Sequence, residues 1–358
     1  MEDTQAYDFE IKSRINNYSL YFTEDIKEIL LTEFEEGDYF VIDSNIKNIY
    51  RDVFNDFLND YNHFEIEANE EIKSYEGIIP LIDDLIRKGF KKNNKLFSIG
   101  GGITQDVTSF ISSVLYRGVE WIFIPTSLLA QGDSCIGSKT SINFKEFKNQ
   151  IGGFYPPSKI YINLNFLTSL PEADFNSGLG ELCHYIILSS KQDFDMVKDC
   201  YDLVINDRKK LKKIIYTSLQ IKKGYIEEDE FDIGIRQLLN YGHSFGHAIE
   251  SITNYKIPHG IAVAIGMDIA NYVSVQYGLL DLSTRNYIRG FLIKIWNGYS
   301  LKNINIQTLL HALSKDKKNV GKNLGLILLT DFGKAEKRMI TPNQEFVNHL
   351  EYYLNKEI

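Results

Sequence analysis

The pattern of apolar residues changes near the middle of the chain, and this change limits the folds that the chain can adopt. In the first half, short apolar runs such as 39–42, 96–99 and 121–124 are separated by helical patterns such as 78–88. Strands that alternate with helices predict a parallel sheet with helical crossovers. Beyond Leu170 the apolar residues follow long stretches with a period of about 3.6, which is typical of helices.

We therefore predict two domains. Residues 1–168 form an α/β domain with a parallel sheet, and residues 169–358 form a mainly α-helical domain. The boundary is placed at 167–171, because Pro171 disfavours a helical conformation in the residue before it. The run 325–329 is the main strand signal of the second domain.

Composition excludes several classes of function. The formal net charge is −9, whereas a surface that binds nucleic acid has to be basic to meet phosphates. No stretch approaches the roughly 18 apolar residues of a membrane span, and the acidic start of the chain lacks the basic region of a signal peptide. Cys135, Cys183 and Cys200 have no metal-binding spacing and are expected to be buried thiols. We expect a cytoplasmic protein that binds neither nucleic acid nor membranes.

Histidines and a glutamate from three separate stretches are candidates for a metal site. His243 and His247 lie four residues apart in one predicted helix, so their side chains project from the same face. His259 begins a further apolar helix, and Glu181 and His184 lie three residues apart in a third helical pattern. A carboxylate with two or three imidazoles is what a catalytic divalent metal requires. The pattern predicts a site for zinc or a similar ion.

Two histidines four residues apart on a helix are, without other support, more often a surface or core pair than a metal site. The neighbouring glycines favour a metal site. Gly242 and Gly246 lie within the predicted helix 238–250, and Gly260 lies in the next one. Each glycine costs a helix about 1 kcal/mol relative to alanine, so a reason other than helix stability must place them there. Close approach of the backbone to a ligand would explain them. Ser244 stands where HExxH zinc proteases have their catalytic glutamate, so that class is excluded.

A nucleotide-binding signal lies in the first domain. The predicted strand 96–99 runs directly into Gly100, Gly101 and Gly102 and then into an apolar helix. Glycines at such a turn let the backbone approach a pyrophosphate, and the helix N-terminus offers N–H groups to it. Asp43 ends an earlier strand, where a carboxylate can accept a hydrogen bond from a ribose hydroxyl. A triple glycine alone could be a plain tight turn, but together with Asp43 it favours a dinucleotide in a Rossmann-like domain.

Other charged stretches could bind a nucleotide or a phosphate, or could simply be solvated surface. Glu70 and Lys73 follow another predicted strand, where they could meet the nucleotide or simply be solvated. Segments 131–140 and 147–153 combine glycines with lysines and an asparagine, which suits a substrate phosphate. The Walker A spacing is absent, so an NTPase is excluded. Segment 315–318 could also meet a small anion.

A series of motifs runs in order from about Asp43 to Gly333. They are Gly100–Gly102 with Asp106, Tyr116–Gly118, Pro125–Gln131, Asp133–Ser134 with Lys139–Thr140, Lys148–Asn149, Glu181, Gly234–Arg236 with Asn240–His243, Gly246–Glu250 and His259–Gly260. Together these motifs resemble those of 3-dehydroquinate synthase and the wider sugar phosphate cyclases. The linked motifs Gly242–Glu250 and His259–Gly260 are specific to that family.

The resemblance implies cofactors and site residues. Members of the family bind NAD and a divalent metal, which here would be zinc or alternatively cobalt, with the ligands Glu181, His243 and His259. The NAD-binding residues would be Asp43, Asn45, Glu70, Lys73, Gly101, Gly102, Asp106, Thr126 and Lys148. The substrate phosphate would contact Lys139, Asn149, His247 and Lys317 rather than Lys318, with Arg117 supplied by the second subunit of a homodimer. Lys222 and Arg236 would hold a substrate carboxylate, and Asp133 and Asn240 would contact hydroxyl groups.

The reaction implied by the resemblance is the NAD- and metal-dependent cyclisation of 3-deoxy-D-arabino-heptulosonate 7-phosphate, a sugar phosphate, to 3-dehydroquinate. Phosphate is lost in this step of the shikimate pathway. The matching Lys222 and Arg236 favour a substrate that carries a carboxylate.

Departures from the family pattern keep alternatives open. His184 stands where dehydroquinate synthases carry a lysine that contacts a substrate hydroxyl, and it could keep that contact, join the metal, or mark another substrate. Gln105, Ser138 and Ile261 also replace usual family residues. The alternatives are a cyclase of the 2-deoxy-scyllo-inosose or valiolone type, a metal-dependent polyol dehydrogenase, and a non-catalytic relative.

Overall fold

The computed structural model of the chain describes residues 7–145, 147–204, 207–302, 304–316 and 318–357. These residues form two compact units. The first unit comprises the described residues up to Leu170 together with Lys222–Phe231. The second comprises the described residues of 171–221 and those from Asp232 onward.

The strands of the first unit are β1 (Phe9–Ile11), β2 (Tyr18–Phe22), β3 (Tyr39–Asp43), β4 (His63–Ile66), β5 (Leu96–Gly100), β6 (Trp121–Pro125), β7 (Lys139–Phe144), β8 (Phe147–Phe154) and β9 (Lys159–Ile162). Its helices are α1 (Ile26–Glu33), α2 (Ser44–Ile49), α3 (Arg51–Asp60), α4 (Tyr75–Arg87) and α5 (Gly102–Val114). Short 3-10 helices cover Leu115–Arg117 and Leu164–Ser169, and a π-helical turn covers Ala130–Ser134.

A seven-stranded sheet in the order β1-β2-β9-β6-β5-β3-β4 forms the centre of the first unit. All neighbouring strands are parallel except β1 and β2. Every residue of β3, β5 and β6 is buried, and burial on both faces explains why these strands are continuous apolar runs. The predicted parallel α/β fold with strands at 39–42, 96–99 and 121–124 is confirmed.

One face of the sheet packs against helices that bracket β3. Phe40 and Ile42 of β3 and Phe97 of β5 share a buried cluster with Leu30 of α1 and Phe54 of α3. This packing fixes the carboxyl ends of β3 and β5, where the predicted nucleotide-binding residues begin.

The antiparallel pair β7–β8 forms a separate hairpin, which the sequence pattern did not predict. It is attached to the segment before α4, because the Asn143 backbone N–H donates to the Lys73 carbonyl oxygen at 2.7 Å. Ser74 and Asn143 also form an isolated parallel bridge.

The helices assigned to the later part of the chain are α6 (Glu172–Ile187), α7 (Lys191–Val204), α8 (Arg208–Glu228), α9 (His243–Ile252), α10 (His259–Gln276), α11 (Leu282–Ile295), α12 (Ile306–Ser314) and α13 (Gln344–Tyr352). The strands β10 (Leu324–Asp331) and β11 (Lys334–Ile340) form an antiparallel pair. A 3-10 helix covers Ile235–Asn240, and a π-helical turn covers Tyr353–Glu357. The mainly helical character predicted for this half is confirmed.

The prediction of one continuous helix over 238–250 is wrong. The 3-10 helix Ile235–Asn240 ends before Gly242, which adopts a left-handed φ of 81°, and α9 starts at His243. His243 and His247 nevertheless share α9, four residues apart. No helix among the residues that the structure describes is long and apolar enough to cross a membrane.

The segment Lys222–Phe231 belongs to the first unit, although the sequence analysis placed it in the second domain. Two of its side chains explain the difference. The Lys222 ammonium donates a hydrogen bond to the Asp133 carboxylate. The Glu230 carboxylate accepts hydrogen bonds from Ser13 Oγ at 2.6 Å and from Ser138 Oγ at 3.2 Å.

Candidate active site

Three helices of the second unit bring the predicted metal ligands together. Glu181 lies within α6, whereas His243 and His259 are the first residues of α9 and α10. The Glu181 carboxylate faces both imidazoles: His243 Nε2 lies 3.5 Å from Oε2, and His259 Nε2 lies 3.1 Å from Oε1. One ligand atom from each residue lies within 4.8 Å of the other two. Metal bonds of about 2.0–2.2 Å can bridge such a spacing.

Glycines allow these helices to approach one another closely. A Cβ atom on Gly260 would lie 1.8 Å from the carbonyl oxygen of Ser177, and one on Gly180 would lie 2.1 Å from that of Gly260. A Cβ atom on Gly246 would lie 3.0 Å from Val263 Cα. The interpretation of Gly246 and Gly260 as sites of backbone approach to a ligand is therefore wrong, because what they meet is the neighbouring helix.

The electrostatics of the cluster favour a cation. Burial alone would raise the pKa of Glu181, but the imidazoles of His243 and His259 outweigh burial and hold it well below its ordinary value. The Glu181 side chain is only 2% exposed. A buried carboxylate that remains ionised needs a positive partner. The donor set of one carboxylate and two imidazoles fits a divalent metal such as zinc.

His184 lies beside this cluster on the next turn of α6. Its side chain is buried, with Nδ1 3.5 Å from Glu181 Oε2 and its ring centre 3.7 Å from that of Tyr185. Its ring centre is 5.1 Å from that of His243. His184 is therefore a neighbour of the candidate ligands, and its role stays a prediction.

His247 lies one turn beyond His243 on α9. Its ring centre is 5.5 Å from that of His243 and 5.6 Å from that of His259. Burial, the two imidazoles and Lys318 lower its pKa well below the ordinary value. His247, Glu250 and His259 form a second group whose ligand atoms lie within 4.8 Å of one another.

The predicted nucleotide residues lie where the strand order of the first unit reverses. In the sheet, β4 lies on one side of β3, whereas β6 lies on the opposite side of β5. β3 and β5 therefore flank the switch point, which is where the direction of the strand order reverses. Ligands of such sheets bind beyond the carboxyl ends of the strands at this point. Asp43 ends β3, and Gly101 precedes α5. A Cβ atom on Gly102 would meet open space, as a turn that binds pyrophosphate requires.

Other predicted nucleotide residues support this turn or pair with one another. Asp43 caps α2 by accepting from Asn45 N–H at 2.8 Å, and Thr126 N–H donates to the Gly100 carbonyl oxygen at 3.0 Å. Burial raises the pKa of Asp43. Thr126 is buried, whereas Asn45 is only partly buried.

Two ion pairs link the remaining nucleotide candidates. Lys73 Nζ lies 2.5 Å from Asp106 Oδ2, and Lys148 Nζ lies 2.8 Å from Glu70 Oε1. Asn143 Nδ2 also donates to Glu70 Oε2 at 2.7 Å. Asn143 is a buried residue that the sequence analysis missed, since no spacing in the sequence connects it with Glu70.

The predicted phosphate residues of the first unit are exposed. Lys139 and Asn149 lie on the β7–β8 hairpin, where Asn149 has a left-handed φ of 54° and accepts from Ser141 Oγ at 3.1 Å. Tyr116 and Arg117 also have positive φ, at 49° and 63°, in the turn after α5. Such backbone strain is concentrated at functional sites. Lys317 lies outside the described residues.

The predicted substrate contacts fall in both units. Lys222 Nζ donates to the Asp133 carbonyl oxygen at 2.7 Å and to Asp133 Oδ1 at 2.8 Å in the first unit. In the second unit, Arg236 is 4% exposed, and Asn240 Nδ2 donates to the Gln237 carbonyl oxygen at 3.0 Å. The structure thus brings Lys222 and Asp133 together, and the roles of all four candidates stay predictions.

Solved structures of cyclases share this fold. A 2-epi-5-epi-valiolone synthase from Streptomyces hygroscopicus, with NAD+ and Zn2+ bound, matches with a TM-score of 0.87 at 21% identity, over 97% of this chain and 99% of that chain. A 2-deoxy-scyllo-inosose synthase complexed with carbaglucose-6-phosphate, NAD+ and Co2+ matches with a TM-score of 0.85 at 22% identity over the same shares.

Sequence comparison is more specific. The sequence models described as 3-dehydroquinate synthase N-terminal and C-terminal match residues 63–177 and 178–319. The 3-dehydroquinate synthase of Streptococcus pyogenes serotype M3 is 32% identical over 360 residues, which cover 96% of this chain and 98% of that protein. The chain belongs to the 3-dehydroquinate synthase family.

Proposed function

We propose that this protein is a carbon–oxygen lyase that cyclises 3-deoxy-D-arabino-heptulosonate 7-phosphate to 3-dehydroquinate with loss of phosphate. One observation carries the proposal: Glu181, His243 and His259, which are far apart in the sequence, converge on one point. They do so in a chain that is 32% identical, over 96% of its length, to a protein named for this product.

NAD and a divalent metal, zinc or cobalt, are the proposed cofactors. The two cyclase structures of similar fold hold NAD+ with Zn2+ or Co2+. When bound, NAD takes up and returns a hydride, and the metal acts as a Lewis acid on a substrate oxygen. Glu181, His243 and His259 would hold the metal. The turn at Gly101–Gly102 would bind the pyrophosphate, and the carboxylate of Asp43 would accept from a ribose hydroxyl. Asn45, Glu70, Lys73, Asp106, Thr126 and Lys148 are the further residues that we assign to NAD.

The substrate phosphate is assigned to cationic and amide side chains. Lys139 supplies a charge and Asn149 an amide donor on the β7–β8 hairpin. His247, Lys317 and, from the second subunit of a homodimer, Arg117 complete the proposed set. As the carbon–oxygen bond breaks, the phosphate leaves with the electron pair. A phosphate oxygen can accept the proton lost from the neighbouring carbon, so no strong side-chain base is required.

The substrate carboxylate is assigned to Lys222 and Arg236. Asp133 holds the Lys222 ammonium at 2.8 Å and so limits the positions that the amine can take. Asp133 and Asn240 are proposed to bind substrate hydroxyls, and His184 is proposed as a further contact that determines which hydroxyl pattern is accepted. We further propose that the protein acts as a homodimer in the cytoplasm.

The test is an assay of the purified protein with NAD, Zn2+ and 3-deoxy-D-arabino-heptulosonate 7-phosphate. We expect release of phosphate and formation of 3-dehydroquinate with no net accumulation of reduced nicotinamide. His259→Ala should abolish the reaction, whereas His349→Ala, which changes a histidine on α13, should leave it intact. Phosphate release from glucose 6-phosphate or sedoheptulose 7-phosphate instead would assign the protein to another cyclase. Net reduction of NAD would assign it to the polyol dehydrogenases.

A further inference from the structure

Glu250 contacts the outer edge of a candidate metal ligand. It lies on α9 seven residues after His243, which places both side chains on one face of the helix. Its Oε2 lies 3.0 Å from Nδ1 of His259, whose other ring nitrogen, Nε2, lies 3.1 Å from Glu181 Oε1. The His259 ring therefore bridges two carboxylates, with one nitrogen toward each.

An imidazole that binds a metal through one nitrogen carries its proton on the other. The acceptor of that proton fixes the tautomer and the orientation of the ring. His243 has such an acceptor in the backbone, because its Nδ1 lies 3.2 Å from the Tyr241 carbonyl oxygen. For His259 the acceptor is a side chain, Glu250.

The His259 ring is more exposed than that of His243, so a fixed partner at Nδ1 contributes more to its orientation. His259 is the first residue of α10 and its side chain is 34% exposed, compared with 14% for His243. The Glu250 side chain is only 12% exposed, so water competes weakly for its carboxylate. We propose that Glu250 is the positioning residue of the metal site: it accepts the Nδ1 proton of His259 and thereby presents Nε2 to the ion. This inference rests on the metal ligands assigned under the proposed function.

A second arrangement of the same residues makes a different prediction. His247, Glu250 and His259 could themselves hold a cation, since their ligand atoms lie within 4.8 Å of one another. Nδ1 of His259 cannot donate a proton to Glu250 and bind an ion at the same time. The number of ions bound therefore separates a positioning role from a second metal site.

The experiment is a Co2+ titration of metal-free protein, followed by visible absorption, for the wild type, Glu250→Ala and Glu250→Gln. We expect one ion per chain in all three. Glu250→Ala should bind it about 10–100-fold more weakly, as is usual when an outer partner of a metal ligand is removed. Glu250→Gln should fall between, because the amide oxygen still accepts a hydrogen bond but carries no charge. The absorption bands should keep their wavelengths, since the ligands are unchanged.

The matched control is Glu345→Gln, which changes a surface pair in which His349 Nε2 lies 3.9 Å from Glu345. It should bind Co2+ as the wild type does. The melting temperature of metal-free Glu250→Gln should be close to that of the metal-free wild type. This measurement distinguishes a loss of Co2+ affinity from a loss of folding. The proposal is overturned if Glu250→Ala binds Co2+ within twofold of the wild type, or if the wild type binds two ions and Glu250→Ala one. Failure of the proposed reaction would appear differently, as a wild type that binds one ion and converts no substrate.

Discussion

Replacing Gly260 by alanine tests whether the contact between α6 and α10 sets the geometry of the proposed metal site. The new Cβ atom would lie 1.8 Å from the Ser177 carbonyl oxygen and 3.2 Å from Glu181 N. The two backbones must separate by 1.2 Å before the shorter contact reaches 3.0 Å, the lower limit for real Cβ atoms. Metal–ligand distances tolerate only about 0.2 Å. Because Gly260 follows His259 directly, this separation should move His259 away from Glu181.

Two quantities should change in Gly260→Ala. Overpacking costs about 1–3 kcal/mol, which corresponds to a fall of roughly 2–12 °C in the melting temperature of a unit of this size. Affinity for Co2+ should fall by at least about tenfold, as when an outer partner of a ligand is removed. The assays are thermal unfolding of the metal-free protein and a Co2+ titration.

Gly290→Ala is the matched control, because Gly290 lies in α11 and a Cβ atom there would meet nothing within 4 Å. It should stabilise the protein by about 1 kcal/mol through helix propensity and leave Co2+ binding unchanged. If Gly260→Ala melts and binds Co2+ as the wild type does, the reasoning is refuted. If it loses stability but keeps its affinity, the contact between α6 and α10 does not determine the ligand geometry.

Three other measurements test the structure more widely. Burial raises the pKa of the Cys135 thiol to about 12 and also raises the pKa of the Cys183 thiol, so a thiol reagent should modify the native protein at the half-buried Cys200 alone; rapid reaction of a second thiol would contradict this. Burial alone would raise the pKa of Glu33, but the hydrogen bond and charge of Lys159 help to lower it overall. The stability that this carboxylate contributes is therefore present above its pKa in the unfolded chain and is lost as the pH falls through its pKa in the folded protein. In Lys159→Met, the midpoint of unfolding in urea should therefore change less as the pH is lowered. His184→Lys should raise turnover of the carboxylate-bearing substrate, and an unchanged or lower rate would count against a role in specificity.

The parts of the fold that the sequence predicts are those with an unbroken apolar signal. Runs 39–42, 96–99 and 121–124 are buried on both faces of the sheet, so every position is apolar or small and the strand is visible without its neighbours. The placement of the candidate site residues His243 and His247 is likewise local, since helical spacing alone puts both residues on one face.

The parts that the sequence does not predict depend on distant partners. Strand β8 has exposed or half-buried residues throughout, so it lacks the alternation that marks a strand, and only its pairing with β7 makes it one. The sequence around Gly246 and Gly260 does not show whether each glycine lets the backbone approach a ligand or a neighbouring helix. Glu250 could have been found from its spacing of seven residues after His243, but His259, the residue that it contacts, lies on another helix.

Two ion pairs of the first unit, Lys148–Glu70 and Lys73–Asp106, differ in burial, and burial determines which pair can separate at little cost in free energy. The sequence shows no difference between these four charged residues. Lys148 and Glu70 are 35% and 46% exposed, and exposed pairs contribute about 0–1 kcal/mol, so a ligand can replace one partner at little cost. Lys73 is 8% and Asp106 26% exposed. Removing Lys73 leaves a largely buried carboxylate uncompensated, at a cost on the order of 2–3 kcal/mol, less than the roughly 3–5 kcal/mol of a fully buried pair. Lys73→Met should therefore lower the unfolding free energy in urea well below that of Lys148→Met. Equal losses would mean that both pairs are solvated, and that neither pair holds the proposed nucleotide-binding residues in place.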